Sequence, residues 1–266
     1  MRLADLGELG MLAELERRGL ARAIDADAAL VPPDLVVTQD ALVEGVHFRF
    51  DLVSWRDLGF RAAAVNLSDL AASGADPEAL VVTLALPAET EIADVLELYE
   101  GLNEPGVPIV GGDTTRSELA MLSVTALGRS ERVPGRAGAQ PGDVLVVTGP
   151  LGAAGAAFRN GRLARPPIRL AEGKELGAVA HALLDVSDGL AVDAGHIAAR
   201  SAVRCAIDLE QVPLAEGAEL EDAGFGEDYE LLAAVEEPGR FTVIGRCEEG
   251  EGVEGLGSLG GFDHFR

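Results

Sequence analysis

The stretch Thr38-Gln39-Asp40-Ala41-Leu42-Val43-Glu44-Gly45-Val46-His47-Phe48 holds residue types that could do chemistry. It follows the apolar run Leu35-Val36-Val37, which reads as a buried strand. Two acids, a glycine and one of four histidines come next. Carboxylates at a strand end, beside a glycine that frees the backbone, suit a metal and phosphate site better than a core. Acids recur at the ends of apparent elements: Asp27, Asp69, Asp113, Asp185 and Asp188. We read them as converging on magnesium and nucleotide phosphates.

The densest signal is Asp185-Val186-Ser187-Asp188-Gly189, between a short strand and a helix. Ser187 or Asp188 then sits at a helix N-terminus, where free N–H groups and the dipole favour phosphate. The same residues also make an ordinary helix cap. Gly111-Gly112-Asp113 follows the short strand Val107-Pro108-Ile109-Val110, and paired glycines let backbone N–H groups approach a phosphate. Asp69 lies in a mostly apolar helix. It is either a buried carboxylate in need of a cation or an exposed helical acid. Asp27 stands in a segment that also reads as a plain loop, and Arg136 is either a phosphate ligand or a solvated linker residue.

Hard oxygen ligands of this kind suit Mg²⁺, which completes its shell with water and substrate phosphates. There is no Gly-x-x-x-x-Gly-Lys loop, and the histidines lack zinc-enzyme spacing. Phosphoryl transfer fits the inventory, because it needs charge neutralisation and in-line positioning more than covalent chemistry. An acceptor that is itself a phosphate needs no strong general base, since its second pKa is about 6.

The net charge of −24 opposes binding to nucleic acid or to an anionic membrane. No apolar run is long enough for a membrane span and the N-terminus lacks a signal-peptide pattern, so a cytoplasmic protein is expected. Cys205 and Cys247 lie in separate segments and read as small buried apolar residues.

These residues must be positioned by alternating helices and strands. Helices are expected over residues 3–20, 55–73, 90–103 (with Thr90 as N-cap) and 171–182, with an Ala-rich one after Gly152. Strands are expected over 79–86, 107–110, 119–127, 143–148 and 203–209, and again after Tyr229 and from Phe241. The Gly-, Pro- and Arg-rich run 129–142 reads as a boundary, dividing the chain into domains of residues 1–132 and 133–266.

Taken together and in order, the motifs resemble the thiamine-monophosphate kinase family. They are Arg2-Leu3 with Leu6-Gly7-Glu8, Asp40 with Glu44-Gly45-Val46-His47-Phe48, Val65-Asn66-Leu67-Ser68-Asp69, Gly111-Gly112-Asp113, Asp185-Val186-Ser187-Asp188-Gly189-Leu190, Gly226-Glu227-Asp228-Tyr229 and Asp263-His264-Phe265. The resemblance spans nearly the whole chain. It implies a two-domain α/β (α+β) fold shared with aminoimidazole-ribonucleotide synthetase, whose N-terminal sheet forms a β-barrel in a homodimer with ATP at the interface. It also implies transfer of the ATP γ-phosphate to thiamine monophosphate.

By motif match, Asp27, Thr38, Asp40, Asp69, Asp113, Asp185 and Asp188 correspond to residues around several Mg²⁺ ions, with Gln39 placed to add a ligand. Asp188 and Asp40 stand nearest the chemistry. Tyr99, Gly112, Asp113, Arg136 and Ser187 correspond to ATP contacts, and His47, Glu227 and Phe262 to the acceptor side. An aromatic ring and a carboxylate are sensible partners for a cationic thiazolium.

The chain departs from the family in Asp25-Ala26-Asp27, where Gly-Asp-Asp is usual, and in shortened segments around 160–169 and 214–224. Among sister enzymes, selenophosphate synthetase would carry a reactive N-terminal cysteine and the hydrogenase-maturation relative a C-terminal one. Neither is present. A catalytically silent nucleotide binder is the alternative from another class.

Overall fold

The computed structural model describes residues 3–20, 27–257 and 259–261. An N-terminal helix, α1 (Leu3–Arg17), precedes the first of two sheets. That sheet contains β1 (Ala29–Val31), β2 (Leu35–Val43), β3 (Asp76–Leu86), β4 (Ile109–Arg116) and β5 (Met121–Arg129), in the order β1-β2-β5-β3-β4. All neighbours are antiparallel except β3 and β4. A parallel pair needs a crossover, and α3 (Ile92–Asn103) supplies it.

Alternate residues of β2, β3 and β5, such as Val36, Val82 and Val124, point into one core with Leu58, Leu67, Leu98 and Leu102. Leu58 and Leu67 belong to α2 (Trp55–Ala72), whose first turn is capped by Ser54 accepting from the Asp57 N–H at 3.1 Å. Helices α2 and α3 touch backbone to backbone. A Cβ on Gly59 would lie 1.9 Å from the Leu98 carbonyl oxygen, and one on Gly101 1.9 Å from that of Arg56.

The second sheet holds β6 (Val144–Val147), β7 (Ala182–Asp185), β8 (Arg204–Ile207), β9 (Leu231–Val235), β10 (Thr242–Glu248) and β11 (Gly252–Glu254), in the order β11-β8-β10-β6-β9-β7. Its strand alternation feeds two cores. Leu145, Val147 and Leu184 face Leu190, Ala194 and Ile197 of α6 (Leu190–Ser201). Val146, Leu183 and Ala233 face Leu176 of α5 (Leu170–Val179) together with Ala71 and Ala72 of α2. The last turn of α2 is therefore built into the core of the second sheet. There α5 comes so close that a Cβ on Gly173 would lie 2.2 Å from the Ala71 carbonyl oxygen. A shorter helix, α4 (Ala153–Arg159), follows β6. Cys205 and Cys247 are buried cross-strand partners on β8 and β10. No helix among the described residues is long and apolar enough to cross a membrane.

Several boundaries differ from the expectations. Strand β2 does not end before Asp40, because Ala41 to Val43 pair with Ser123 to Met121 of β5. Strand β4 likewise runs through Gly111-Gly112-Asp113. Gly112 is needed there because a Cβ would sit 1.8 Å from the Val82 carbonyl oxygen. The cap of α3 is Glu91 rather than Thr90, and that of α6 is Gly189. Strands β1 and β11 are additions to the expected set.

Candidate active site

Four aspartates reach one place from four segments. The period of β2 sets Thr38 and Asp40 on the face that carries Val36 and Leu42, toward α2. The Thr38 hydroxyl donates to the Asp69 carboxylate and, at 3.4 Å, to the Asp27 carbonyl. Asn66 accepts from the Asp40 N–H at 3.1 Å while its own amide donates to Ala62 at 2.9 Å, which fixes its orientation. Two residues along, Ser68 donates to Asp185 at the end of β7. Asn66, Ser68 and Asp69 of α2 thus join Asp27, β2 and β7.

The charges oppose one another. Asp69 is held well above the ordinary carboxylate range, first by removal from water and then by Asp40, Asp185 and Asp27. Asp185 is pushed up to about 8 by burial and by Asp27, against the pull of the Ser68 hydrogen bond. Burial also raises Asp27, although Arg136 donates to its Oδ1 from Nε at 3.0 Å and Nη2 at 2.7 Å. Asp27 Oδ2 is buried with no hydrogen-bond partner. An orphaned carboxylate oxygen among like charges, with a hydroxyl alongside, is a donor set that fits a hard divalent cation.

A second group continues the site. Oxygen atoms of Asp188 and Asp193 and a ring nitrogen of His196 all lie within 4.8 Å of one another. The Asp188 N–H donates to Asp193 Oδ2 at 3.1 Å. Buried Asp193 is raised by desolvation, then by Asp188, Asp185 and Asp27, while His196 is lowered to about 4 by burial, Arg136 and Arg200. Asp193 and His196 were not anticipated. Their spacing of three, on the helix that opens right after Asp188, was the available signal.

The segment Gly226–Glu230 backs the Ser187–Asp188 turn. Glu227 N–H donates to the Ser187 carbonyl at 2.7 Å and Tyr229 N–H to that of Val186 at 2.9 Å. Glu227 forms an ion pair with Arg61 of α2, a residue only 1% exposed and also not anticipated. Asp228 accepts from the N–H groups of Gly152 and Ala154 at the start of α4, at 2.6 and 3.2 Å. Buried Glu230 takes Arg169 at 2.7 and 2.5 Å and the Thr148 hydroxyl at 2.6 Å. His47, in the turn after β2, accepts from the Val43 N–H through Nδ1 at 3.0 Å.

Other expected site residues lie elsewhere in the single chain. Gln39 points to the opposite face of β2, where it meets Ser123 at 2.9 Å and Thr125 at 3.3 Å, so it does not join the aspartates. Gly112 shares a register row with Val82, Val124 and Asp40, which puts exposed β4 three inter-strand steps from β2, about 14 Å. Asp113 goes with it. Tyr99 packs on the first core beside the Gly59 crossing, about 15 Å along α2 from Asp69. Phe262, Asp25 and Ala26 fall outside the described residues.

The fold defines a class. Residues 25–130 match the AIR synthase related protein N-terminal domain. E. coli HypE, a hydrogenase maturation protein, has the same fold at 19% identity, with a TM-score of 0.71 over 96% of both chains. Sequence relatives narrow it. Thiamine-monophosphate kinase of Aquifex aeolicus is 35% identical over 95% of both chains, and that of Methanopyrus kandleri is 39% identical over 87% of this chain and 85% of the relative. The solved AaThiL complexed with AMPPCP and TMP is 32% identical, with a TM-score of 0.90 over 99% of both chains. The chain belongs to the thiamine-monophosphate kinase family.

Proposed function

We propose that this protein transfers the γ-phosphate of ATP to thiamine monophosphate, giving thiamine diphosphate and ADP. The observation that carries the chemistry is the meeting of Asp27, Asp40, Asp69 and Asp185 around a buried, unpartnered oxygen. The relative solved with AMPPCP and TMP supports the choice of donor and acceptor.

Asp27, Asp40, Asp69, Asp185 and Thr38 would hold Mg²⁺ ions, with Asp188 holding a further one. When bound, these supply the positive charge that brings two phosphate groups together. Arg136, fixed on Asp27, adds a guanidinium at the same place. Ser187, just ahead of the α6 N-terminus, would meet the donor phosphates, and Asp188 would reach them through its cation. His47 and Glu227, with Phe262, bind the acceptor. No side chain is needed as a strong base, because the acceptor phosphate is already largely ionised above about pH 6.

Tyr99, Gly112 and Asp113 are assigned to ATP. They lie about 14 Å or more from the aspartates within one chain. That separation supports a site completed by a second copy, and we read the protein as a homodimer joined through the strands of residues 1–132. Residues 133–266 supply the Asp185–Asp188 turn and Glu227. A reaction on ATP, together with two buried free cysteines, supports a cytoplasmic setting.

The test is product formation from ATP, Mg²⁺ and thiamine monophosphate, with thiamine as control acceptor. Thiamine diphosphate from the monophosphate alone is the expected result. ATP binding with no product would instead identify a silent nucleotide binder.

A further inference from the structure

Among the described residues, Arg61 is the one charged side chain in the set of the largest fully buried ones, and it stands in the Ala-rich middle of α2. Its Nη1 donates to the Ala164 carbonyl at 3.1 Å, and its Nη2 meets Glu227 Oε1 in an ion pair. Nε and Nη2 are both buried with no hydrogen-bond partner, so the contact with Glu227 is one of charge and proximity. The guanidinium carbon also sits 5.9 Å from the Tyr229 ring centroid, within cation–π range.

Such an arrangement is a poor source of stability. Removing a guanidinium from water costs several kcal/mol, and an apolar side chain of similar size is often neutral or better. An orphaned donor adds to that cost.

What the guanidinium does hold is a strained loop. Glu227 has φ 60° and Tyr229 φ 52°, left-handed values that non-glycine residues adopt only when neighbours over-determine them. A local preference would not keep Glu227 there. The ion pair to Arg61 and the backbone bond to Ser187 do. Ala164, the other Arg61 contact, lines a cleft of about 650 Å³ between residues 50–57 and 157–165.

We propose that Arg61 is a positioning residue, which fixes the carboxylate of Glu227, and the loop that carries it, for the acceptor. This rests on the assignment of Glu227 to the acceptor side. Arg61 touches no reacting atom and acts through Glu227.

Three measurements on Arg61→Met test it: urea unfolding, kinetics against both substrates, and amide exchange at Glu227 and Tyr229. Stability is expected to hold or rise. The KM for thiamine monophosphate is expected to rise about tenfold or more while that for ATP stays within about twofold. The two amides are expected to exchange about tenfold faster. Adding Arg61→Met to Glu227→Gln is expected to cost little beyond Glu227→Gln alone, because the two act as one unit. Arg61→Lys, which keeps the charge without the planar fork, serves as the second variant and is expected to show the same split.

An unchanged acceptor KM with unchanged exchange overturns the proposal. So does an equal rise in both KM values with lost stability, the signature of a merely structural residue. Faster exchange in Arg61→Met, with no effect of Glu227→Gln on the acceptor KM, upholds the positioning of the loop and removes Glu227 from the acceptor site.

Discussion

Ser68 Oγ donates to Asp185 Oδ2 at 2.5 Å, so a helix of the first sheet holds an acid of the second. The bond is buried, and it works against the burial and like charge that push Asp185 up to about 8. Ser68→Ala leaves that carboxyl without its donor. A loss of about 1–3 kcal/mol is expected in urea unfolding. The Mg²⁺ concentration for half-maximal activity should rise as well. No change in either would show that the bond carries nothing.

Asp69 sits among Asp40, Asp185 and Asp27, and burial first, then their negative charges, hold its carboxyl above the ordinary range. Asp69→Asn relieves that repulsion and also removes a cation ligand. We expect the metal-free variant to melt at a higher temperature than its parent while activity falls roughly hundredfold or more. Asp188→Asn, further out at the α6 N-terminus, should lose activity with the fold intact. Circular dichroism and turnover check both, and full turnover in Asp188→Asn would end its metal role.

The crossing of α2 and α3 leaves no room for a methyl group at Gly59 or Gly101, where backbone carbonyls would stand 1.9 Å away. A backbone neighbour cannot rotate aside, so each alanine substitution should cost about 3 kcal/mol or more. The two sites share one contact. Once the helices are pushed apart, the double variant should be less damaged than the sum of the singles. Additive losses in urea unfolding would place the two clashes in independent contacts.

Asp228 is pushed up to about 6, chiefly by burial, against the N–H groups of Gly152 and Ala154. A carboxyl whose folded pKa lies above its unfolded value of about 4 favours the fold most when protonated. Its contribution is complete below that value, falls as pH rises toward 6, and is level beyond. Asp228→Asn cannot titrate. The melting temperature of the variant minus that of the parent should therefore climb between about pH 4 and 6 and then stay constant. A flat difference across that window would contradict the raised pKa.

Much of the scaffold was readable from pattern. The apolar runs around Val82, Val146 and Leu183 become strands, and the Ala-rich run after Trp55 becomes α2. The motif order pointed to the family that the relatives show. Within β2, period-two alternation already separates Thr38 and Asp40 from Gln39, and following it strictly would have kept Gln39 apart from the aspartates.

Other features were not local. The left-handed Glu227 is itself neither glycine nor asparagine, and its ion-pair partner Arg61 lies far away in the chain. The distance between Gly112 and Asp40 follows from strand order, which a linear motif does not carry. Asp193 and His196 read in the sequence as ordinary polar residues of a helix, and only the way α6 leaves the Asp188 turn brings them to that acid.

The last turn of α2 belongs to the core of a sheet whose strands all come after residue 143. Shared ownership of one helix limits how such a protein can be divided or recombined. A fragment ending near residue 132 would carry Ala71, Ala72 and Ser68 with nothing to cover them, and its complement would leave Leu183 and Ala233 open to water. Homologous halves can be exchanged between proteins only if the face of α2 and the glycines of α5 change together. The face of α2 and the face of α5 are in this sense one surface, written in two distant parts of the sequence.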